Sequence, residues 1–165
     1  MTEATPTAAK RSLGLITYDR NAYRFRTEVR VRLSETDAVG IVYFGSFATY
    51  MDVGRMDYLN NLGLTRHEGA IRDLIPGAVV HYDADFIRPA RYNDILEVNV
   101  RIAAIGRTSY TFHFLIADRR SAAVVATGRI TLAWLDEAFQ PQVVPAAFIE
   151  EVSGFEGENL TIAAP

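Results

Sequence analysis

The 165-residue chain has no cysteine, a single tryptophan and three histidines, and its 17 Lys and Arg are outnumbered by 20 Asp and Glu, for a net charge of −3. Without cysteine there are no disulfides, thiolate zinc sites or cysteine nucleophiles, which fits a cytoplasmic setting. Without a basic surplus there is no footprint for nucleic acid, which concentrates Lys and Arg on one face. No apolar run approaches the roughly 20 residues of a membrane span, and the short one after Lys10-Arg11 is too brief for a secretory signal. A Gly-x-Ser-x-Gly elbow and a phosphate-cradling glycine loop are also lacking, so serine-hydrolase and nucleotide-binding chemistry receive no support. A soluble, intracellular protein is expected.

What is present is a 49% hydrophobic fraction in a chain of single-domain length. Residues 1–20 lack apolar periodicity and are expected to form a flexible arm, with one domain over 21–165. Over 23–33, Tyr23, Phe25, Thr27, Val29, Val31 and Leu33 alternate with charged residues, the period of a strand with one core face and one wet face. Then Phe47, Tyr50, Met51, Gly54, Tyr58, Leu59 and Leu62 recur at helical spacing, predicting a helix over 45–61 that stops at Gly63. It is apolar around much of its circumference, so it needs burial on several sides, as a curled sheet would supply. Thr65 and Glu68 have capping-box spacing and predict a short second helix. Alternating runs at 80–86, 96–102, 110–116 and 124–134 predict four more strands, paired antiparallel as a meander. In the first run Val80, Tyr82, Ala84 and Phe86 should face the core. His81, Asp83 and Asp85 then form the wet face rather than a metal site. His67 and His113 have no recognisable partner in the sequence.

The junction between the first strand and the helix, residues 35–55, can do chemistry. Asp37 sits in a turn, Gly40 lets the backbone reverse, and the first turn of the helix offers free N–H groups. Asp37 either caps its turn, a common use of Asp, or acts on a thioester. The thiol leaving group needs little help from a general acid, and a carboxylate ionised at neutral pH can attack the carbonyl or activate water. The carbonyl oxygen would then be held by a backbone N–H near Tyr43 or Phe44.

The run Thr36-Asp37-Ala38-Val39-Gly40-Ile41-Val42-Tyr43-Phe44, followed by Tyr50 and Asp52-Val53-Gly54-Arg55, resembles the signature of the 4-hydroxybenzoyl-CoA thioesterase family of hotdog-fold acyl-CoA hydrolases. Residues 86–94 resemble that family's strand-turn segment and 105–110 its next strand entry, so the resemblance spans about 30–134. It implies an α+β hotdog fold, an antiparallel sheet of five or six strands wrapped around a long central helix. It also implies Asp37 as catalytic carboxylate and the Phe44 N–H as oxyanion donor. Hydrolysis would convert an acyl-CoA to a free acid and coenzyme A with no metal or other cofactor. A homodimer or homotetramer is expected, with the acyl pocket between subunits and pantetheine contacts partly from the partner chain.

Many relatives carry histidine where Phe44 stands and glutamate where Asp52 stands. In the aryl-CoA branch an aspartate at the Asp52 position contacts a ring hydroxyl, which admits a hydroxybenzoyl or other aryl substrate; the alternative is a pair with Arg55. Gly40, Phe47, Tyr50 and Met51 are candidate pocket residues. Arg88, Arg91 and Arg107, at strand ends, are candidates for the phosphates of coenzyme A, whereas Arg119-Arg120 reads as a charged turn. Thr108 and Ser109 could hydrogen-bond the ligand near the thioester. Three rivals remain: a non-catalytic acyl-CoA-binding module, a thioesterase acting on acyl carrier protein, and a dehydratase. The last would need a histidine base near the helix start, and none is there.

Overall fold

The computed structural model describes residues 14–65 and 77–163. The predicted second helix and His67 lie outside the described residues. The long helix, α1, runs Ser46–Asn61, with Phe47, Tyr50, Met51, Gly54, Arg55, Tyr58 and Leu59 buried along it. It lies in a sheet of strands β1 (Phe25–Arg30), β2 (Ala78–Phe86), β3 (Ile95–Ile105), β4 (Ser109–Asp118) and β5 (Val124–Ala133). The core is one cluster between the inner sheet face and the helix, with Leu96, Val98, Phe112, Phe114, Ile116 and Leu132 fully enclosed.

β1 is shorter than its alternation suggests. Leu33 leaves the sheet for a 3-10 turn, Leu33–Glu35, and is exposed. The Glu35 carboxylate closes that turn by accepting the Arg32 N–H at 2.8 Å.

The expected four-strand meander is corrected: the strand order is β1-β3-β4-β5-β2, so β2 pairs with β5 at the far edge and only β3, β4 and β5 follow one another. The reason lies in residues 87–94, which form a crossover instead of a hairpin. The Ile87 and Arg88 N–H groups both donate to Val125 O, Val42 N–H to Ala90 O at 2.8 Å, and Asn93 N–H to Val31 O at 3.0 Å. β2 ends at Phe86, and Pro89, unable to donate to a ladder, prevents its resumption. A sixth strand, β6 (Thr161–Ile162), adds to β3 in parallel, so five strands are antiparallel and the last is not.

β2 also departs from its pattern. Phe86 does turn toward the helix, its ring 5.1 Å from that of Phe47, yet Val80, Tyr82 and Phe86 remain exposed. α1 is centred on β3, where Gly54 meets Val98 and Val100, and leaves the edge strand uncovered. On the other face Asp83 is committed to Arg129, whose Nε lies 2.9 Å from Oδ2, and to His81 at 3.0 Å.

The outer face of the sheet is not simply wet, because Asn99, Thr111, His113 and Thr127 are buried there. Residues 14–23 lie across it: Arg129 donates to Gly14 O at 3.1 Å, Arg20 pairs with Glu97, and the Arg101 guanidinium sits 5.5 Å from the Tyr23 ring centre. A helix not anticipated from the pattern, α2 (Ala146–Glu156), buries Phe148, Val152 and Glu156.

Candidate active site

The turn holding Asp37 is closed by a bridge between Thr36 and Val42. Its reversal needs a left-handed residue, and Gly40 supplies it with φ of 80°. Asp37 Oδ1 accepts the Val39 N–H at 2.8 Å and the Ile41 N–H at 3.4 Å. Oδ2 has no hydrogen-bond donor among the described residues. The capping and chemical readings of Asp37 are therefore compatible: one oxygen fixes the carboxylate while the other stays available.

Asp37 lines an open cleft of about 430 Å³ whose other walls, Arg88 apart, are apolar, chiefly Ile41, Phe44, Phe47, Phe86 and Ile87. The start of α1 borders it. The Tyr43 N–H is already used, donating to Glu35 O at 2.8 Å, and those of Ser46, Phe47 and Ala48 go to the carbonyls three residues before them. The Phe44 and Gly45 N–H groups have no acceptor among the described residues. Of the two predicted oxyanion donors, Phe44 is thus the one with a free N–H.

Glu35, which sequence reasoning missed, organises this corner. Its carbonyl also accepts the Ser46 hydroxyl at 3.2 Å and its carboxylate the Tyr50 hydroxyl at 2.8 Å. Burial, then that bond, push the Tyr50 hydroxyl well above the ordinary tyrosine range. The spacing of Glu35 and Tyr50 carried no recognisable motif. Phe86 was also missed as a wall, since its place in an alternating run read as core.

The other predicted site residues divide. Phe47 and Arg88 join Asp37 in the cleft, with Arg88 tied to Val124 O at 3.0 Å. Tyr50 lies on the β1 side of the helix, and Met51 is enclosed under Gly128. Asp52 is exposed on the helix and held by Arg55. Arg91 lies beyond Pro89, outside this cleft. Arg107, Thr108 and Ser109 stand at the opposite end of the sheet, because Ser109 is in register with Ala133 and Ala78, whereas Phe86 is in register with Ala126. At 3.3 Å per residue the two ends are about 25 Å apart.

Residues 39–125, more than half of the chain, match the family described as the Thioesterase superfamily. The chain belongs to that superfamily. The match begins two residues beyond Asp37, so it bears on the fold and the helix, not on that carboxylate. The acyl-CoA thioester hydrolase YbgC of Escherichia coli is 23% identical over 131 residues, covering 79% of this chain and 97% of the relative. A chloroplastic acyl-acyl carrier protein thioesterase of Arabidopsis thaliana is 25% identical over 138 residues, 81% of this chain and 70% of its own. Among solved structures, a thioesterase of Thermus thermophilus complexed with coenzyme A and Zn superposes with a TM-score of 0.72 at 26% identity, covering 83% of this chain and 98% of that one. The fold is the hotdog thioesterase fold. Among the described residues no helix is long and apolar enough to cross a membrane.

Proposed function

We propose that the protein hydrolyses acyl-CoA thioesters, with Asp37 as the reacting carboxylate and the Phe44 N–H as oxyanion donor. The observation that carries this reading is the conjunction at one cleft of a half-committed Asp37, an unclaimed N–H before α1 and an apolar wall for the acyl chain. Either Asp37 takes a proton from water as that water adds to the carbonyl carbon, and the C–S bond then breaks to release coenzyme A, or the Asp37 carboxylate adds first, the C–S bond breaks to release coenzyme A and leave an anhydride, and water hydrolyses the anhydride to the free acid and the Asp37 carboxylate. The N–H stabilises the oxygen as it gains charge, which is where such a donor acts most strongly.

The site is completed by a second copy of the chain. β2 is an edge strand, and Val79, Val80, Tyr82 and Phe86 are exposed along it. Antiparallel pairing of two β2 strands about a two-fold axis reverses their ends. The partner's Arg107–Ser109 corner then comes toward the Phe86 end of this chain, which accounts for the separation of those candidates within one subunit. Asp52, paired with Arg55 on the helix, is committed to that ion pair, so the acyl group is read from the apolar cleft rather than from a ring hydroxyl.

The test is thiol release from short-chain, long-chain and hydroxybenzoyl CoA thioesters by wild type and Asp37→Asn. The variant should lose turnover by about a hundredfold or more while still binding substrate. Equal turnover would remove Asp37 from the chemistry, and absence of turnover in the wild type would favour a binding module or a carrier-protein substrate.

A further inference from the structure

Glu35 grips the start of α1 through both its main chain and its side chain. Its carbonyl accepts the Tyr43 N–H at 2.8 Å and the Ser46 hydroxyl at 3.2 Å. Its carboxylate oxygen Oε2 accepts the Tyr50 hydroxyl and the Arg32 N–H, each at 2.8 Å. Ser46 and Tyr50 are one helical turn apart on the same face, so a single residue holds two successive turns. Tyr50 is 2% exposed, and a buried hydroxyl keeps its place by finding an acceptor. Burial first, then the bond itself, keeps the proton on the tyrosine, so the bond has one polarity, with Tyr50 donating.

The grip is carried to the Phe44 N–H by the peptide that contains it. The carbonyl and N–H of one trans peptide lie in a plane and point in opposite directions. The Tyr43 carbonyl shares its peptide with the Phe44 N–H and accepts the Ser46 N–H at 2.9 Å, while the Tyr43 N–H is held by Glu35. With both sides of Tyr43 fixed, the Phe44 N–H has one direction. Asp37 is bound into the same loop, because its N–H donates to Ile41 O at 2.9 Å and Thr36 bridges Val42. Residues 35–43 thus close on themselves, with Asp37 near the turn and the Glu35–Tyr43 pair at the base.

The Glu35 and Tyr50 side chains do not reach the acyl cleft. Asp37, Phe44 and Phe47 line that cleft, whereas Glu35 and Tyr50 line a separate one of about 340 Å³ on the β1 side of α1. Any effect of either side chain on turnover must therefore pass through the geometry of the loop and the helix start. That route is sensitive, since misplacing a reacting group by about 1 Å can cost a factor of about a hundred in rate.

We propose that the Glu35 carboxylate and the Tyr50 hydroxyl form a latch that aims the Phe44 N–H and seats the Asp37 turn against the start of α1. Glu35 and Tyr50 are then positioning residues for thioester hydrolysis, without contact to substrate. This rests on the hydrolase reading above and adds the means by which a lone backbone N–H stays aimed. A donor already in place needs no reorganisation as the carbonyl oxygen gains charge, and a latch behind the helix supplies this without occupying the cleft. Because Oε2 takes both bonds, the single amide oxygen of glutamine can reproduce them, whereas alanine cannot. Tyr50→Phe removes the donor and leaves the ring.

Two measurements test it on the full-length protein and on Tyr50→Phe, Glu35→Ala and Glu35→Gln, each read well below the melting temperature of the variant. The first is steady-state hydrolysis of a CoA thioester that the wild type turns over. Tyr50→Phe and Glu35→Ala should lower kcat at least about tenfold with KM within about twofold, and Glu35→Gln should retain most of kcat. The second is the Phe44 amide resonance in isotopically labelled protein, which requires no turnover. It should move in Tyr50→Phe and Glu35→Ala and stay near its wild-type position in Glu35→Gln. If Glu35→Ala does not fold, the other two variants decide. An unchanged kcat in Tyr50→Phe overturns the latch, as does a defect in KM alone, which would make Tyr50 a binding contact. So does a lowered kcat with the Phe44 resonance unmoved, or a Glu35→Gln protein that loses as much kcat as Tyr50→Phe, which would make the charge rather than the bonds decisive. If the wild type hydrolyses no thioester, the hydrolase reading fails and the Phe44 resonance alone judges the latch: movement in Tyr50→Phe upholds it, and a fixed position overturns it.

Discussion

The hydroxyl of Tyr58, in the last turn of α1, donates to Oε1 of Glu156 at 2.6 Å inside the core, and the same oxygen accepts the Ile102 N–H at 3.0 Å. One carboxyl thereby ties the central helix, the last helix and β3 together. Burial raises the Glu156 carboxyl above its ordinary 4.5, although the bonds from Tyr58 and Ile102 pull it back. The folded state therefore binds this proton more tightly than the unfolded chain. Its contribution is full below about pH 4.5 and declines as pH rises through the raised value. Glu156→Gln keeps an acceptor for both donors and carries no charge. Chemical-denaturation curves should show the wild type losing stability relative to Glu156→Gln as pH rises toward neutrality. Curves that run parallel across that range would refute the linkage. Tyr58→Phe should cost about 1–3 kcal/mol by leaving the buried carboxyl short of a donor.

Gly54 serves close approach within a helix. A Cβ there would fall 2.7 Å from Val98 Cγ1 and 2.9 Å from Val100 Cγ2. Gly54→Ala gains about 1 kcal/mol in helix propensity, and overpacking by about 1–3 kcal/mol outweighs it. A net loss of stability is expected, with recovery when Val98→Ala makes room. Gly128→Ala should be worse, because its Cβ would meet the backbone oxygen of Asp83 at 2.6 Å as well as Met51. Thermal melts of the three variants decide the matter, and a Gly54→Ala protein more stable than wild type would contradict it.

Arg55 is 5% exposed at its side chain and Asp52 55%, so a buried cation is neutralised from the surface. Arg55 Nη1 is buried without a partner among the described residues. Asp52→Ala strands the charge, and its cost should be about 1–3 kcal/mol, below that of a wholly buried pair because water screens the carboxylate. Arg55→Met introduced into Asp52→Ala should restore much of the loss. If Asp52→Ala is neutral in urea denaturation, Arg55 is stabilised by other means. A hydroxyaryl preference that depends on Asp52 would appear separately, as an acyl panel changed by Asp52→Asn/Arg55→Met but not by Arg55→Met alone.

Much of the fold is legible in residue order. The 3.6-residue period from Phe47 to Leu59 and the alternation of Tyr110, Phe112, Phe114 and Ile116 each reflect a local geometry that repeats every turn or every second residue. The Asp37 turn is legible for the same reason, since Asp and Gly have specific backbone uses. The last helix is less visible: Phe148, Val152 and Phe155 have the spacing, but the run is short and has no side-chain cap at Pro145.

By itself the sequence determined the central helix and the five main strands, that Asp37 and Gly40 form a tight turn before a buried helix, and that cysteine chemistry is absent. Those properties depend on neighbours a few residues apart. Tertiary structure alone decided that β2 crosses to the far edge, that Glu35 takes the Tyr43 N–H and leaves that of Phe44 free, and that Tyr50 faces away from the cleft. It also gathered Arg30, Arg91, Arg119 and Arg120 from three separate segments into one cleft. The physical reason is that strand order and crossover path follow from how an entire sheet closes over one helix. Contacts between residues dozens of positions apart leave no local period to read.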